Sequence, residues 1–375
     1  MTDLFIFSGE ASGDLHGEKI LEALYAQRPD VKVAGVAGPK MRAAGIECIM
    51  QMEKFQVMGF VDVFFALPRL VRQFYQVANA ILELQPKTVL LIDYPGFNLR
   101  LARHLRKKGY EGKLCHYICP SVWAWGKKRI PRMAETLDLL LTLFPFEAEY
   151  FSHTTLPVAH VGHPLVQRLQ ETTYRPLTFP VGKTLVGIFP GSRAKEIERN
   201  LPLILKTVKK LIPSHPHLFF AISAKFSEQI QKCIDQEDLT EHFLLVPPER
   251  TYDLMAASSY AIAKSGTVTL ELALHGVPTV VTYAISPLDL FIAKDVLRVR
   301  LPHYCIVNIV AGKTVFPELI GPNFSEQSLH EAFEALLSNR EAYTRALEAF
   351  QALLDKKDAS SEAARELLKI ISTCA

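Results

Sequence analysis

At 375 residues, with 49% hydrophobic and 22% charged side chains, the chain is long enough for two domains with large cores and falls outside the disordered and fibrous classes. A formal net charge of +3 is too small to argue for a nucleic-acid-binding surface. No apolar run reaches the roughly 18 residues a membrane-spanning helix needs, no signal-peptide pattern opens the chain, and the six scattered cysteines match no zinc spacing and read as thiols of a reducing compartment.

The first predicted strand covers residues 4–7, and Ile20, Leu21 and Leu24 follow at helical spacing. Between them lies Ser8-Gly9-Glu10-Ala11-Ser12-Gly13-Asp14, a strand-to-helix turn. In open α/β sheets ligands bind at this strand end, and a helix N-terminus favours anionic groups. The turn departs from G-x-G-x-x-G by placing Glu10 between small residues. That points away from a dinucleotide and towards sugar or hydroxyl chemistry.

Further strands are predicted at 32–36, 88–92, 114–118, 137–143 and 158–161, with helical patterns between most of them. This alternation is the signature of a parallel sheet wrapped by helices. Residues 57–84 are unusually apolar, with Phe60, Phe64, Phe65 and Leu67 facing more than one side and Arg69 and Arg72 following. The stretch reads either as a core helix or as a surface that dips into lipid with both arginines at the headgroups. Asp93 ends the 88–92 strand and opens a Tyr94-Pro95-Gly96-Phe97-Asn98 turn. It reads as a base for a sugar hydroxyl or as a turn-capping carboxylate. Ser121-Val122-Trp123-Ala124-Trp125 holds both tryptophans and precedes Lys127, Lys128, Arg129 and Arg132. Stacking on a sugar and plain core packing are both open there.

Pro176, Pro180 and Gly182 punctuate the middle, and a domain boundary is expected near 170–183. A second alternating series follows, with strands at 184–189, 218–222, 243–246, 260–263 and 279–281 and helices near 197–212, 252–257, 268–274 and 325–337. Two glycine-bearing helix starts sit at strand ends in this half. Pro190-Gly191-Ser192-Arg193 reads either as a close backbone approach with a permanently charged donor fork or as an ordinary Pro-Gly turn with a surface arginine. Lys264-Ser265-Gly266-Thr267 opens a helix whose Glu271, one turn on, lies over the same end, where it reads as a ribose acceptor or as the salt-bridged glutamate of a capped helix. The pairing suits a nucleoside diphosphate. Glu196, Glu198 and Arg199 read as a solvated face. Residues from about 340 to 371 are predicted helical.

Together these runs resemble the lipid-A-disaccharide synthases, inverting glycosyltransferases of the GT-B fold. The matching stretches are residues 8–14, 36–39, Met58-Gly59, 92–98, 120–125, 162–164, 190–193, 265–271 and Asn308, in order across the chain. The resemblance implies an α/β protein of two Rossmann-like parallel-sheet domains facing an interdomain cleft. Residues 1–172 would form an acceptor- and membrane-facing domain and 173–340 a UDP-sugar-binding domain. Residues 341–375 would close the fold on the first domain or on a partner subunit of a homodimer. It implies transfer from UDP-2,3-diacylglucosamine to the 6-hydroxyl of 2,3-diacylglucosamine 1-phosphate in lipid A biosynthesis, with neither metal nor cofactor and no nucleic-acid partner.

By the same resemblance Asp93 is the general base and Glu10 lies in the cleft. Gly191, Ser192 and Arg193 fall on the UDP side with Ser265, Gly266, Thr267, Glu271 and Asn308. Phe60, Phe64, Phe65, Leu67, Arg69 and Arg72 would meet lipid, giving a cytoplasmic protein held peripherally on the inner face of the bacterial inner membrane. One departure stands out: after Pro317-Glu318-Leu319-Ile320 the family is expected to carry glutamine, and this chain has Gly321. The competing readings are another UDP-sugar transferase or epimerase on the same fold, and an inactive lipid- or nucleotide-binding protein.

Overall fold

The computed structural model describes residues 2–55, 60–223, 225–285, 302–355 and 357–373, and of residues 60–67, 124 and 125 it describes the backbone alone. The chain divides into two compact units, Met1–Arg168 with Leu354–Ala375, and Leu169–Leu353.

The first unit is built on a seven-stranded parallel sheet: β1 (Leu4–Ser8), β2 (Val33–Ala37), β3 (Glu47–Gln51), β4 (Thr88–Ile92), β5 (Lys113–Tyr117), β6 (Leu139–Thr142) and β7 (Val158–His160). Their spatial order is β3-β2-β1-β4-β5-β6-β7. The chain therefore reverses direction across the sheet between β1 and β4, which pair with Ser8 opposite Ile92. Such a switch point leaves a crevice beyond the strand ends where α/β proteins bind ligands. The central strands are buried at every position, and apolar except for Ser8 and Thr88, because helices cover both faces. Phe5, Phe7, Val89 and Leu91 share a core cluster with Val77 and Ile81 of the Phe60–Leu84 helix and Leu101 and Leu105 of the Pro95–Lys107 helix. The final helix, Ala359–Ser372, packs on the Ala11–Gln27 helix, and Gln27 Nε2 donates to the Ser361 carbonyl at 3.3 Å.

The second unit carries six parallel strands: β8 (Thr184–Phe189), β9 (Leu218–Ser223), β10 (Phe243–Val246), β11 (Tyr260–Lys264), β12 (Thr279–Tyr283) and β13 (Glu318–Ile320). The order β10-β9-β8-β11-β12-β13 repeats the switch, here between β8 and β11. Alternate side chains of β8 divide between two cores. Val186 and Ile188 join Leu201, Leu205 and Val208 of the Ala194–Ser214 helix, whereas Leu185 and Phe189 join Leu254, Met255 and Leu272.

Eleven of these strands fall where the periodicity places them. β3 and β13 do not announce themselves: Glu-Cys-Ile-Met-Gln is a largely exposed edge strand, and β13 has three residues. The predicted tail helix is two helices. Arg340–Ala352 belongs to the second unit, where Gln351 Nε2 donates to the carbonyls of Ala273 (2.8 Å) and Leu274 (3.1 Å). The chain then breaks, and Asp358 restarts it by accepting the amides of Ser360 (3.1 Å) and Ser361 (3.0 Å). The Pro-rich segment after residue 172 docks on the second unit: the Arg175 amide donates to Asp253 at 2.8 Å, and Arg250 reaches the Pro176 carbonyl at 2.8 Å.

Candidate active site

In the first unit, the turns after β1 and β4 lie side by side because those strands pair. Glu10 therefore stands beside Asp93, close enough for the two carboxylates to interact. Three non-glycine residues gather here in left-handed backbone: Asp93 (φ 46°), Tyr94 (φ 45°) and Ile118 (φ 77°), the last at the end of the neighbouring β5. For a β-branched residue such as Ile118 this conformation is a true outlier, and strain of this kind gathers at functional sites. Two features hold the β4 turn. Asn98, fully buried, donates to the carbonyls of Asp93 (2.6 Å) and Ile92 (3.1 Å). The Tyr94 ring lies over Gly9, where a Cβ would come within 2.9 Å of it.

Burial raises the pKa of Asp93 above its ordinary value, against the opposing Tyr94 backbone amide. Loss of hydration also raises Glu10, and the Asp93 charge adds to it. Tyr94 is raised by burial and by Glu10. A partly desolvated carboxylate of raised pKa at a switch point is chemically a base.

Asp14, at 1% exposure, plays a different part: it accepts amides from Gly38 (2.8 Å), Lys40 (2.9 Å) and Met41 (3.2 Å) and so fastens the turn after β2. His163 is also structural. Its Nδ1 accepts the Leu165 amide at 3.1 Å, and burial, then His16, push its pKa down to about 3, so it is neutral. The run with the tryptophans forms a wide π-helical turn, Val122–Gly126, packed on the Pro145–Phe151 helix, and the Trp123 ring meets Phe146 at 6.2 Å edge-on. The Trp125 side chain lies outside the described residues.

In the second unit, a cavity of about 430 Å³ opens at the ends of β8 and β11. Gly191, Ser192, Arg193, Gly266, Thr267 and Glu271 all line it. The fold thus joins two runs that lie some seventy residues apart in sequence. Gly191 sits at φ 138°, and a Cβ there would meet Glu196 Cβ at 2.6 Å, so the turn requires glycine. The Glu271 carboxylate accepts the Tyr252 hydroxyl at 2.8 Å.

Ser223, Lys225, Thr251, Lys264 and Glu196 also line the cavity. Lys264 is visible in the sequence as part of its run; Glu196 reads there as a solvated face because its sequence neighbours are charged. Ser265 and Asn308 are not among the lining residues. Asn308 is fully buried, its amide group donating to the Phe316 carbonyl and Glu318 (both 2.7 Å) and its oxygen accepting the Val315 (2.8 Å) and Phe316 (2.9 Å) amides. Those four bonds use its capacity inside the unit. Gly321 follows β13 at φ 58°, a backbone in which glutamine would be strained.

Two parallel, doubly wound sheets, each with a switch point in its strand order, are the GT-B fold of glycosyltransferases and epimerases. A solved UDP-N-acetylglucosamine 2-epimerase from Neisseria meningitidis superposes with a TM-score of 0.61 at 14% identity, covering 98% of this chain and 100% of that one. Within that class the chain belongs to the lipid-A-disaccharide synthase family, whose model, described as lipid-A-disaccharide synthetase, matches residues 4–371. The lipid-A-disaccharide synthase of Chlamydia pneumoniae is 37% identical over 343 residues, covering 89% of this chain and 57% of that protein. The chain spans 62% of two further chlamydial relatives. The Azotobacter vinelandii enzyme of the same name is 35% identical over 340 residues and is covered to 88%, as is this chain.

Proposed function

We propose that this protein transfers the diacylglucosamine unit of UDP-2,3-diacylglucosamine to the 6-hydroxyl of 2,3-diacylglucosamine 1-phosphate, with inversion, releasing UDP. The observation that carries the reading is the pairing, within one member of this family, of a raised carboxylate at one switch point and, at the other, a cavity that holds Arg193, Lys225 and Lys264. Asp93 takes the proton of the acceptor hydroxyl as its oxygen attacks the anomeric carbon. The bond to the UDP oxygen breaks, and the charge that develops on the diphosphate falls to Arg193 and the amides of the two glycine turns. The Glu271 carboxylate, held by Tyr252, is suited to a ribose hydroxyl pair. Incubation with the two acylated glucosamine substrates should give disaccharide 1-phosphate and UDP, read by mass spectrometry. Unchanged substrates, under conditions where the Azotobacter enzyme turns over, would refute the assignment.

We also propose peripheral association with an anionic membrane surface, since both substrates carry acyl chains. Among the described residues no helix is long and apolar enough to cross a membrane. The Phe60–Leu84 helix leaves Val71 (47%) and Tyr75 (51%) exposed, with Arg69 and Arg72 exposed beside them. The neighbouring Pro95–Lys107 helix exposes Arg100, Arg103 and Lys107. Apolar side chains ringed by cations match the lipid boundary. The side chains of Phe60, Phe64, Phe65 and Leu67 lie outside the described residues. Replacing Val71 and Tyr75 by Ser and Arg69 and Arg72 by Gln should cut co-sedimentation with anionic vesicles by about tenfold or more, at about 1 kcal/mol per basic residue. Undiminished co-sedimentation would remove this surface from the proposal.

A further inference from the structure

Glu196 does something in the cavity that neither the family reading nor the glycine turn requires. Its Oε2 accepts the Ser192 amide at 3.0 Å, its Oε1 accepts Lys264 Nζ at 3.2 Å, and Arg193 stands 3.6 Å from Oε1. An amide of the turn and two cations thus converge on one carboxylate. These are the donors a phosphate group seeks. Burial alone would raise the pKa of Glu196, but the Ser192 amide, Lys264 and Arg193 outweigh it and hold the group ionised. Lys264 is only 18% exposed, with the Tyr283 ring 4.8 Å below its ammonium. It is therefore a preorganised charge at the end of β11, directed into the cavity lined also by Arg193 and Gly266.

We propose that Lys264 is a diphosphate ligand of this cavity and that Glu196 is an internal anion that competes with the diphosphate for Lys264 and the Ser192 amide. This rests on reading the cavity as the nucleotide site. The consequence is kinetic as well as thermodynamic. The carboxylate weakens the hold on the product nucleotide and takes back the same donors as the nucleotide leaves, so the cations are never left unpaired in a partly buried site. Arg193, 83% exposed on its side chain, is only loosely drawn to Glu196, whereas Lys264 is held close. The competition therefore falls mainly on Lys264.

The bland alternative is that Lys264 and Glu196 merely fasten β11 to the Ala194–Ser214 helix. Binding of UDP, uridine and inorganic pyrophosphate to the wild-type chain, Lys264→Met and Glu196→Gln, measured by calorimetry with melting curves alongside, separates the two. Lys264→Met should weaken UDP and pyrophosphate by about tenfold or more, the loss of one charge-assisted bond, and leave uridine unchanged. Glu196→Gln keeps an oxygen for the Ser192 amide but loses the charge. It should tighten UDP severalfold and slow its release in stopped-flow displacement. If Lys264→Met weakens all three ligands alike with a falling melting temperature, or leaves UDP within twofold, the ligand role is refuted. If Glu196→Gln weakens UDP or leaves its affinity and release unchanged, the competition is refuted. Pyrophosphate binding that needs Lys264, in a protein indifferent to UDP, would instead uphold Lys264 and overturn the UDP reading.

Discussion

Asp93→Asn should lower turnover by about two to four orders of magnitude, the usual worth of a positioned general base, with little change in KM. The variant is a clean test because an asparagine amide oxygen can still accept the Tyr94 backbone N–H that bonds the Asp93 carboxylate. Asn98 grips the turn through the carbonyls of Asp93 and Ile92. Asparagine also tolerates the left-handed backbone found at φ 46° better than most residues. The melting temperature should therefore stay close to wild type. The pH profile carries a second signature. Burial raises Asp93, and Glu10 is raised by burial and by the Asp93 charge. A base must be deprotonated to act, so wild-type kcat/KM falls as pH drops through that raised value, above where an unperturbed aspartate would place it. The residual activity of Asp93→Asn should lack this limb. A variant with near-normal rate, or one that keeps the limb, would remove Asp93 from the chemistry.

Much of this site is legible in the amino-acid sequence, and the reasons are local. Glu10, Asp93, Arg193 and Gly266 all stand just after apolar runs that read as buried strands, and parallel sheets put ligands at that end. What no run reveals is which strands are neighbours. The pairing of β1 with β4 and of β8 with β11 brings separate turns together, and it follows from the switch in strand order rather than from spacing. The left-handed backbone at Tyr94 and Ile118 leaves no mark either, because neither residue type favours it. Glu196 is hidden among charged neighbours, although a glutamate three residues into a helix is where a backward-reaching carboxylate belongs. Asn308 presents the opposite case. The resemblance assigns it to the nucleotide, yet its side chain is spent on the loop at 315–318.

The two units answer the same design problem with different charges. In the second, Arg193, Lys225 and Lys264 line the cavity beside the carboxylates of Glu196 and Glu271, and Glu196 is held by two of these cations and an amide. Such a site suits an anion. In the first, the groups beyond β1 and β4 are two carboxylates and a tyrosine, each raised by lost hydration. That combination suits removal of a proton from a neutral hydroxyl and would repel a diphosphate. The same strand order thus hosts opposite electrostatics, which is why fold alone does not settle the role of either switch point.

Glu147→Gln should stabilise the protein at pH 8 relative to pH 5, by up to about 3 kcal/mol in the difference between variant and wild type. Glu147 is 3% exposed, beneath the Val122–Gly126 turn, and accepts the amides of Leu143 (3.1 Å) and Phe144 (3.0 Å) through one oxygen. The Trp123 indole N–H approaches the carboxylate without completing a hydrogen bond. Burial outweighs these partners and lifts its pKa from 4.5 to about 7. Because the folded value lies above the unfolded one, the folded state holds the extra proton between them. Its contribution is complete below about pH 4.5 and is lost as pH rises through about 7, where a charge must be kept in a dry site. Glutamine keeps the accepting oxygen and never ionises. Several histidines in the same unit act in the opposite direction: burial pushes His16 and His116 to about 4, so their contributions grow as pH rises towards 6.5. Only the difference between variant and wild type isolates Glu147, and paired denaturant titrations at pH 5, 6.5 and 8 measure it. A gap that stays flat across the three values would mean that Glu147 is ionised throughout and that its amide partners, not burial, govern it.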